Sequence, residues 1–234
     1  MMNRPPVGVP LAEFQDTLTK PQRALGFIYL TLHILALPIL LAMLQEYSPG
    51  MDEYTVNTAY YALGMGFCLI FMWGFLRRGF DIFLDGLPRC MIAIALAYMI
   101  QMFLSIFAGG AVLLLPWDMT ALPAIEESQS FVQQYYWPSI AMLGIMAPII
   151  EEVLFRGVLF GSLLRKNKTL AYVLSIALFG LSHVWQGALA TMDMRVLIFA
   201  IMDIPMGFAL AWSYEKSGSI WVPIFLHMLV GLLG

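Results

Sequence analysis

Long apolar runs dominate this sequence and constrain its fold more than any other feature. Of the 234 residues, 61% are hydrophobic and only 12% are charged, whereas an ordinary soluble domain is about 45–50% apolar and about 25% charged. The runs approach the ~20 residues that a helix needs to cross ~30 Å of hydrocarbon. A soluble globule of this size could not bury so much apolar surface. The sequence therefore predicts an all-α, polytopic bundle of membrane helices.

Turn-forming residues divide the apolar runs into seven predicted transmembrane helices. Pro, Gly and Ser residues punctuate the chain between the runs, as expected for turns. We interpret residues 1–24 as a cytoplasmic tail that could include an interfacial helix, and residues 25–234 as one transmembrane domain. The predicted helices lie near residues 25–45, 58–76, 90–115, 138–165, 170–187, 195–213 and 219–234.

Basic residues are unequally distributed between the two ends of the predicted helices. Most of the 12 Lys and Arg residues lie in the N-terminal tail or in the loops after the even-numbered helices. Because cytoplasmic loops carry the excess of Lys and Arg, we expect the N-terminus in the cytoplasm, for example of a bacterial inner membrane. The formal net charge of −3 argues against a basic nucleic-acid binder, so the expected environment is the lipid bilayer.

Several ionisable side chains fall within the predicted helices, where each is costly and indicates a functional site. Glu152 and Arg156 are four residues apart and can form an ion pair on one helix face, whereas Glu151 lies ~100° around the helix. We interpret Asp203 as a supporting partner of Arg156 or of a histidine. The ionisable residues at bilayer depth are Glu151, Glu152, Arg156, His183, Asp203 and His227, with His33, interpreted as structural, on the first helix.

The chemistry of Glu151, His183 and His227 leaves alternatives open. These side chains could activate a water molecule directly, with the carboxylate as a general base. They could instead hold Zn²⁺ or another divalent metal ion that activates the water. A polar cluster that only joins helices is the alternative without catalysis. The residues alone do not decide whether a metal cofactor is needed.

Three ordered motifs resemble those of one family. Their sequence is similar to the CPBP family of intramembrane proteases, which includes the type II CAAX prenyl endopeptidases and the bacterial Abi or bacteriocin-processing proteins. The resemblance covers roughly residues 138–234, the motif-bearing core. The motifs are Glu151-Glu152-x-x-x-Arg156, then Phe179-x-x-x-His183, then His227 in the last predicted helix.

The resemblance implies an intramembrane endopeptidase acting on a membrane-associated protein or peptide. By matching position, Glu151 and His183 would activate the attacking water, and Glu152 with Arg156 would order the site. His227 would stabilise the oxyanion of the tetrahedral intermediate, as positioned donors do in acyl transfer. We expect the substrate and water to reach these residues from the cytoplasmic half of the bilayer.

One position departs from the family pattern. The family's third motif usually continues from His with Asn or Asp four residues later, whereas this chain has Gly231 there. A missing donor can cost on the order of 10²–10³ in rate. The alternative is therefore a catalytically inactive membrane scaffold or bacteriocin-immunity protein of the same family. A proton-coupled transporter is less favoured, because the chain lacks the inverted repeat that transporters often show.

Overall fold

Helices connected by short turns make up the described part of the protein. The computed structural model describes residue 14 and residues 16–48, 50–115 and 132–233, and no β-strand occurs among these residues. The interfacial helix predicted in the tail lies largely outside them, and residues 16–19 are not helical.

The helices coincide with the apolar runs and confirm an all-α membrane helix bundle. Among the described residues, four helices are long and apolar enough to cross a membrane (α1, α4, α6 and α7), or five if α2 and α3 form one bent span. The predicted number of seven is thus not confirmed. The helices are α1 (Lys20–Tyr47), α2 (Glu53–Phe71), α3 (Trp73–Asp85), α4 (Leu87–Leu113), α5 (136–164), α6 (Lys168–Ala190), α7 (Met194–Ser217) and α8 (Trp221–Leu233).

The segment after the second predicted helix differs most from expectation. Helices α2 and α3 meet at Met72 with a bend of 76°. The region expected to be a basic loop is the amphipathic helix α3, in which Phe75 and Phe83 are buried while Arg77 and Arg78 are exposed. Apolar residues at helical spacing produce this pattern, and a window that only averages hydrophobicity does not detect it.

The last helix is also shorter than a membrane span. Helix α8 contains 13 residues, which at ~1.5 Å per residue extend only ~20 Å. The hydrocarbon core of a bilayer is ~30 Å thick, so α8 by itself reaches part of the way across. Its importance lies in its position beside α5 rather than in its length.

Helix α5 lies at the centre of the bundle and is wound partly as a π-helix. Residues Met142–Met146 and Glu152–Phe160 have π-helical hydrogen bonds, and α-helical segments precede and separate them. All nine residues of the second π segment are buried. Because π segments are rare and occur frequently at functional sites, the winding singles out the part of α5 that carries Glu152 and Arg156.

Close packing of α6 against α7 depends on Gly180. A Cβ atom at this position would lie 2.9 Å from the carbonyl oxygen of Ala200 on α7. This contact is too short for real atoms and involves backbone, so a side chain at position 180 would push the two helices apart. The glycine therefore allows α6 and α7 to bring His183 close to Asp203.

We expect Gly180→Ala to destabilise the protein by about 1–3 kcal/mol, because overpacking forces backbone shifts. Gly109→Ala on α4 is the matched control, since a Cβ atom there meets nothing within 4 Å. Thermal unfolding of both variants in detergent measures the difference. Equal unfolding midpoints would show that the α6–α7 contact tolerates a side chain.

Candidate active site

Three helices bring Glu151, His183 and His227 together. The Oε2 atom of Glu151 on α5 lies 3.5 Å from Nε2 of His183 on α6 and 3.9 Å from Nε2 of His227 on α8. These separations exceed a good hydrogen-bond length, and Oε2 has no hydrogen-bond partner among the described residues. Oε2 is therefore a buried carboxylate oxygen flanked by two imidazoles.

The adjacent carboxylate, Glu152, is fully buried and contacts two partners. Its Oε1 atom accepts a hydrogen bond from Nη1 of Arg156 at 3.1 Å and lies 2.9 Å from Nδ1 of His227. The Glu152 and Arg156 side chains are both 0% exposed, so the ion pair expected from their spacing is present. An ionised carboxylate can only accept, so Nδ1 of His227 is the donor, and Nε2 is the ring nitrogen nearest Glu151.

Arg156 extends this connection to two more helices. Its Nη2 donates to the carbonyl oxygen of Gly207 on α7 at 3.2 Å, and its Cζ lies 4.2 Å from the ring centroid of Phe179 on α6. A guanidinium over an aromatic face is attracted by the ring quadrupole. The Phe179 ring also contacts the rings of His183 and His227 edge-on, at centroid distances of 4.7 and 5.8 Å. Phe179 thus packs between the buried cation and both imidazoles.

Asp203 approaches the other side of the His183 ring. Its Oδ2 lies 3.7 Å from Nδ1 of His183, which is longer than a hydrogen bond. A carboxylate near the second ring nitrogen can orient an imidazole and stabilise its protonated form. Of the two partners considered from the sequence, the structure places Asp203 beside the histidine, while Arg156 contacts Glu152, Gly207 and Phe179.

The cluster contains more carboxylates than permanent cations. Glu151, Glu152 and Asp203 face the single guanidinium of Arg156, which leaves a formal net charge of −2 when the imidazoles are neutral. Uncompensated charge is costly in an apolar environment. The two imidazoles lie beside these carboxylates, so the cluster brings acidic and basic groups into contact.

A cavity of about 390 Å³ lies beside Glu151 and is bounded by α1, α2, α5 and α6. Its volume is in the range of ligand pockets, ~300–1,000 Å³. It includes Gln45 near the end of α1 and Glu53 at the start of α2, and so extends away from the ends of α1 and α6 that carry Lys20 and Lys168. We expected substrate and water to enter from the cytoplasmic, cation-rich half of the bundle. This cavity extends toward the opposite end and is not such a route.

Sequence reasoning missed the contribution of α1 and α2 to this cavity. His33 is buried, with Nε2 3.0 Å from the Tyr60 hydroxyl, and the two rings stack at 4.5 Å. Both residues line the same cavity as Glu151, although His33 was interpreted only as structural. The signal that could have found it was an ionisable group at bilayer depth. Tyr60 carries no comparable signal, because sequence periodicity does not tell which helices pack together.

The described side chains do not form a metal site. No group of three or more His, Cys, Asp or Glu among residues 14, 16–48, 50–115 and 132–233 could hold a metal ion. In the set considered from the sequence, Nε2 of His183 and Nε2 of His227 lie 3.5 and 3.9 Å from Oε2 of Glu151. The function proposed below assigns the activation of water to these side chains.

Comparisons with known proteins find similarity to a family model and to curated bacterial proteins. A family model described as type II CAAX prenyl endopeptidase Rce1-like matches residues 133–233. "Putative membrane peptidase YdiL" of Bacillus subtilis (strain 168) is 35% identical over 92 residues, covering 39% of this chain and 33% of the relative. "UPF0177 protein YxdF" of Lactococcus lactis subsp. lactis (strain IL1403) is 32% identical over 93 residues, covering 40% of this chain and 46% of the relative. The matches thus span less than half the length of either relative. No solved structure matches the chain.

We expect Arg156→Met to destabilise the protein by about 3–5 kcal/mol, because removing one partner leaves the Glu152 charge buried and uncompensated. The double variant Glu152→Gln/Arg156→Met should recover part of this loss, since it removes both charges. The free energy of unfolding in detergent, measured for the wild type, both single variants and the double variant, tests the coupling. Strictly additive effects would contradict it.

Proposed function

We propose that this integral, multi-pass membrane protein is an endopeptidase of the CPBP family, since its residues 133–233 match a family model described as type II CAAX prenyl endopeptidase Rce1-like. It hydrolyses a peptide bond of a membrane-associated protein or peptide. The observation that carries this proposal is the approach of two imidazoles to one oxygen of Glu151, beside a cavity with polar walls. Hydrolysis at bilayer depth needs a base and donors beside a space that can hold water and substrate, and this arrangement supports that chemistry.

Glu151 and His183 hold the attacking water in this mechanism. Its hydrogen bonds go to Oε2 of Glu151 and to Nε2 of His183, whose 3.5 Å separation suits a shared water. The Glu151 carboxylate takes a proton from the water as its oxygen bonds to the carbonyl carbon of the scissile peptide. General-base catalysis of this kind contributes typically about 10²–10⁴-fold. Asp203 orients His183 from the other ring nitrogen.

His227 stabilises the negative charge that develops on the carbonyl oxygen. Its Nδ1 is held by Glu152, so a protonated ring presents its Nε2–H on the side of Glu151. A donor fixed in a water-poor site needs no reorganisation when the charge forms. The tetrahedral intermediate then collapses, the C–N bond breaks, and the proton held by Glu151 passes to the leaving amine. Glu152 and Arg156 act as positioning residues.

Gly231 favours one second candidate function. It lies one turn after His227 on α8, and a Cβ atom there would meet nothing within 4 Å among the described residues. The position at which the family usually has a donor is therefore without a side chain. A catalytically inactive scaffold or bacteriocin-immunity protein would keep the polar cluster for folding and would not need this donor.

We expect Glu151→Gln to abolish cleavage, lowering its rate by about 10²–10⁴-fold, because an amide cannot act as the general base. Protein termini in membranes from cells with the wild type or the variant are compared quantitatively, with accumulation checked by blotting. Glu46→Gln on α1, an exposed carboxylate outside the cavity lining, is the matched control. If Glu151→Gln accumulates normally and rescues the phenotype of a null strain without changing any terminus, the scaffold function is correct.

We expect cleavage to persist after dialysis of the purified protein against a strong chelator, because in the proposed mechanism the Glu151 carboxylate, rather than a metal ion, activates the water. Turnover is measured before dialysis, after it, and after addition of Zn²⁺. Loss of turnover that Zn²⁺ restores would contradict the direct mechanism and would assign a metal to Glu151, His183 and His227.

A further inference from the structure

The cavity beside Glu151 has more polar walls than a lipid-binding pocket requires. Its charged and imidazole side chains are Glu53, Glu151, His33 and His183, and among the described residues no Lys or Arg lines it. An isoprenoid or acyl chain in this space would cover polar groups without pairing them, which is costly. The lining therefore favours a polar occupant that is not acidic.

Three carboxamides line the cavity: Gln45 on α1, Asn57 on α2 and Gln186 on α6. Asn57 is half-buried, whereas Gln45 and Gln186 are exposed. Each carboxamide offers two donors and one acceptor. This is the chemistry of the peptide group itself, so together they can satisfy the backbone of another chain.

An extended substrate segment within the membrane needs hydrogen-bond partners for its backbone. A peptide bond must leave helical structure to be attacked, and its N–H and C=O groups then lose their internal hydrogen bonds. No lipid replaces those bonds, so each unpaired group costs several kcal/mol in a membrane. The carboxamides supply partners from three different helices around the space next to Glu151.

The cavity also extends toward one end of the bundle. Gln45 lies near the end of α1, Glu53 begins α2, and Gln186 lies near the end of α6. The opposite ends of α1 and α6 carry Lys20 and Lys168, together with Lys166 between α5 and α6. Since the cation-rich ends are predicted to be cytoplasmic, the polar end of the cavity is on the non-cytoplasmic side.

We propose that this cavity binds an extended, polar, unlipidated polypeptide segment that enters from the non-cytoplasmic side, with Gln45, Asn57 and Gln186 pairing its backbone. This inference rests on the proposed endopeptidase function and specifies its substrate class. The substrate is a segment exposed outside the cytoplasm, neutral or basic in charge, rather than a prenylated cytoplasmic tail.

Cysteine accessibility tests the proposal. Single variants Asn57→Cys and Gln186→Cys are treated with a membrane-impermeant maleimide in intact cells, and the native Cys68 and Cys90 are fully buried. Gly50→Cys, exposed between α1 and α2, is the control for the non-cytoplasmic side. Lys166→Cys, exposed at the opposite end, is the control for the cytoplasmic side.

We expect Asn57→Cys and Gln186→Cys to react in intact cells together with Gly50→Cys, whereas Lys166→Cys reacts only after permeabilisation. Modification should lower cleavage by Asn57→Cys about tenfold or more relative to the same unmodified variant, because it blocks the substrate's path. Modified Gly50→Cys should cleave as before. The cleavage sites should map to polar, non-cytoplasmic segments.

Three outcomes would overturn the proposal. The cavity variants could react only after permeabilisation, modification could leave cleavage unchanged, or the sites could map to cytoplasmic or lipidated segments. Failure of the endopeptidase function is seen separately, as the lack of any terminus that depends on Glu151 in unmodified wild type. The labelling pattern does not depend on that result.

Discussion

The rest of the site depends on the interactions of the buried Glu152 carboxylate. It accepts from Arg156 and is paired with His227, while Arg156 contacts Gly207 and stacks on Phe179. One ion pair thereby connects α5 with α6, α7 and α8. An isolated charge in this environment would cost far more than it contributes, so the four helices are stable together only in an arrangement that keeps these partners in place.

Two neighbouring glutamates acquire different environments because they lie on different sides of one helix. Glu152 faces the packed interior and pairs there with Arg156 and His227, whereas Glu151 lines a cavity beside His183. In the proposed mechanism the first carboxylate positions the site and the second acts as the base. The π-helical winding that begins at Glu152 coincides with this division, as expected for π segments at functional sites.

Polar walls inside an apolar bundle have a destabilising cost that needs a functional explanation. Imidazoles at bilayer depth are stable only with partners or water, and in this protein imidazoles and carboxamides line the cavity beside Glu151. The proposed catalysis accounts for Glu151 and His183. The proposed pairing with a substrate backbone accounts for Gln45, Asn57 and Gln186.

The sequence by itself determined the membrane helix bundle, the helix that carries Glu151, and the set of Glu and His residues that meet in the site. Hydrophobic length and helical spacing are local properties, and each of the three motifs is a short stretch of the sequence. Only the tertiary structure decided the 76° bend between α2 and α3, the place of His33 and Tyr60, and the end toward which the cavity extends. These features depend on which helix faces pack together, and that choice is made by contacts between residues far apart in the chain, such as Gly180 with Ala200.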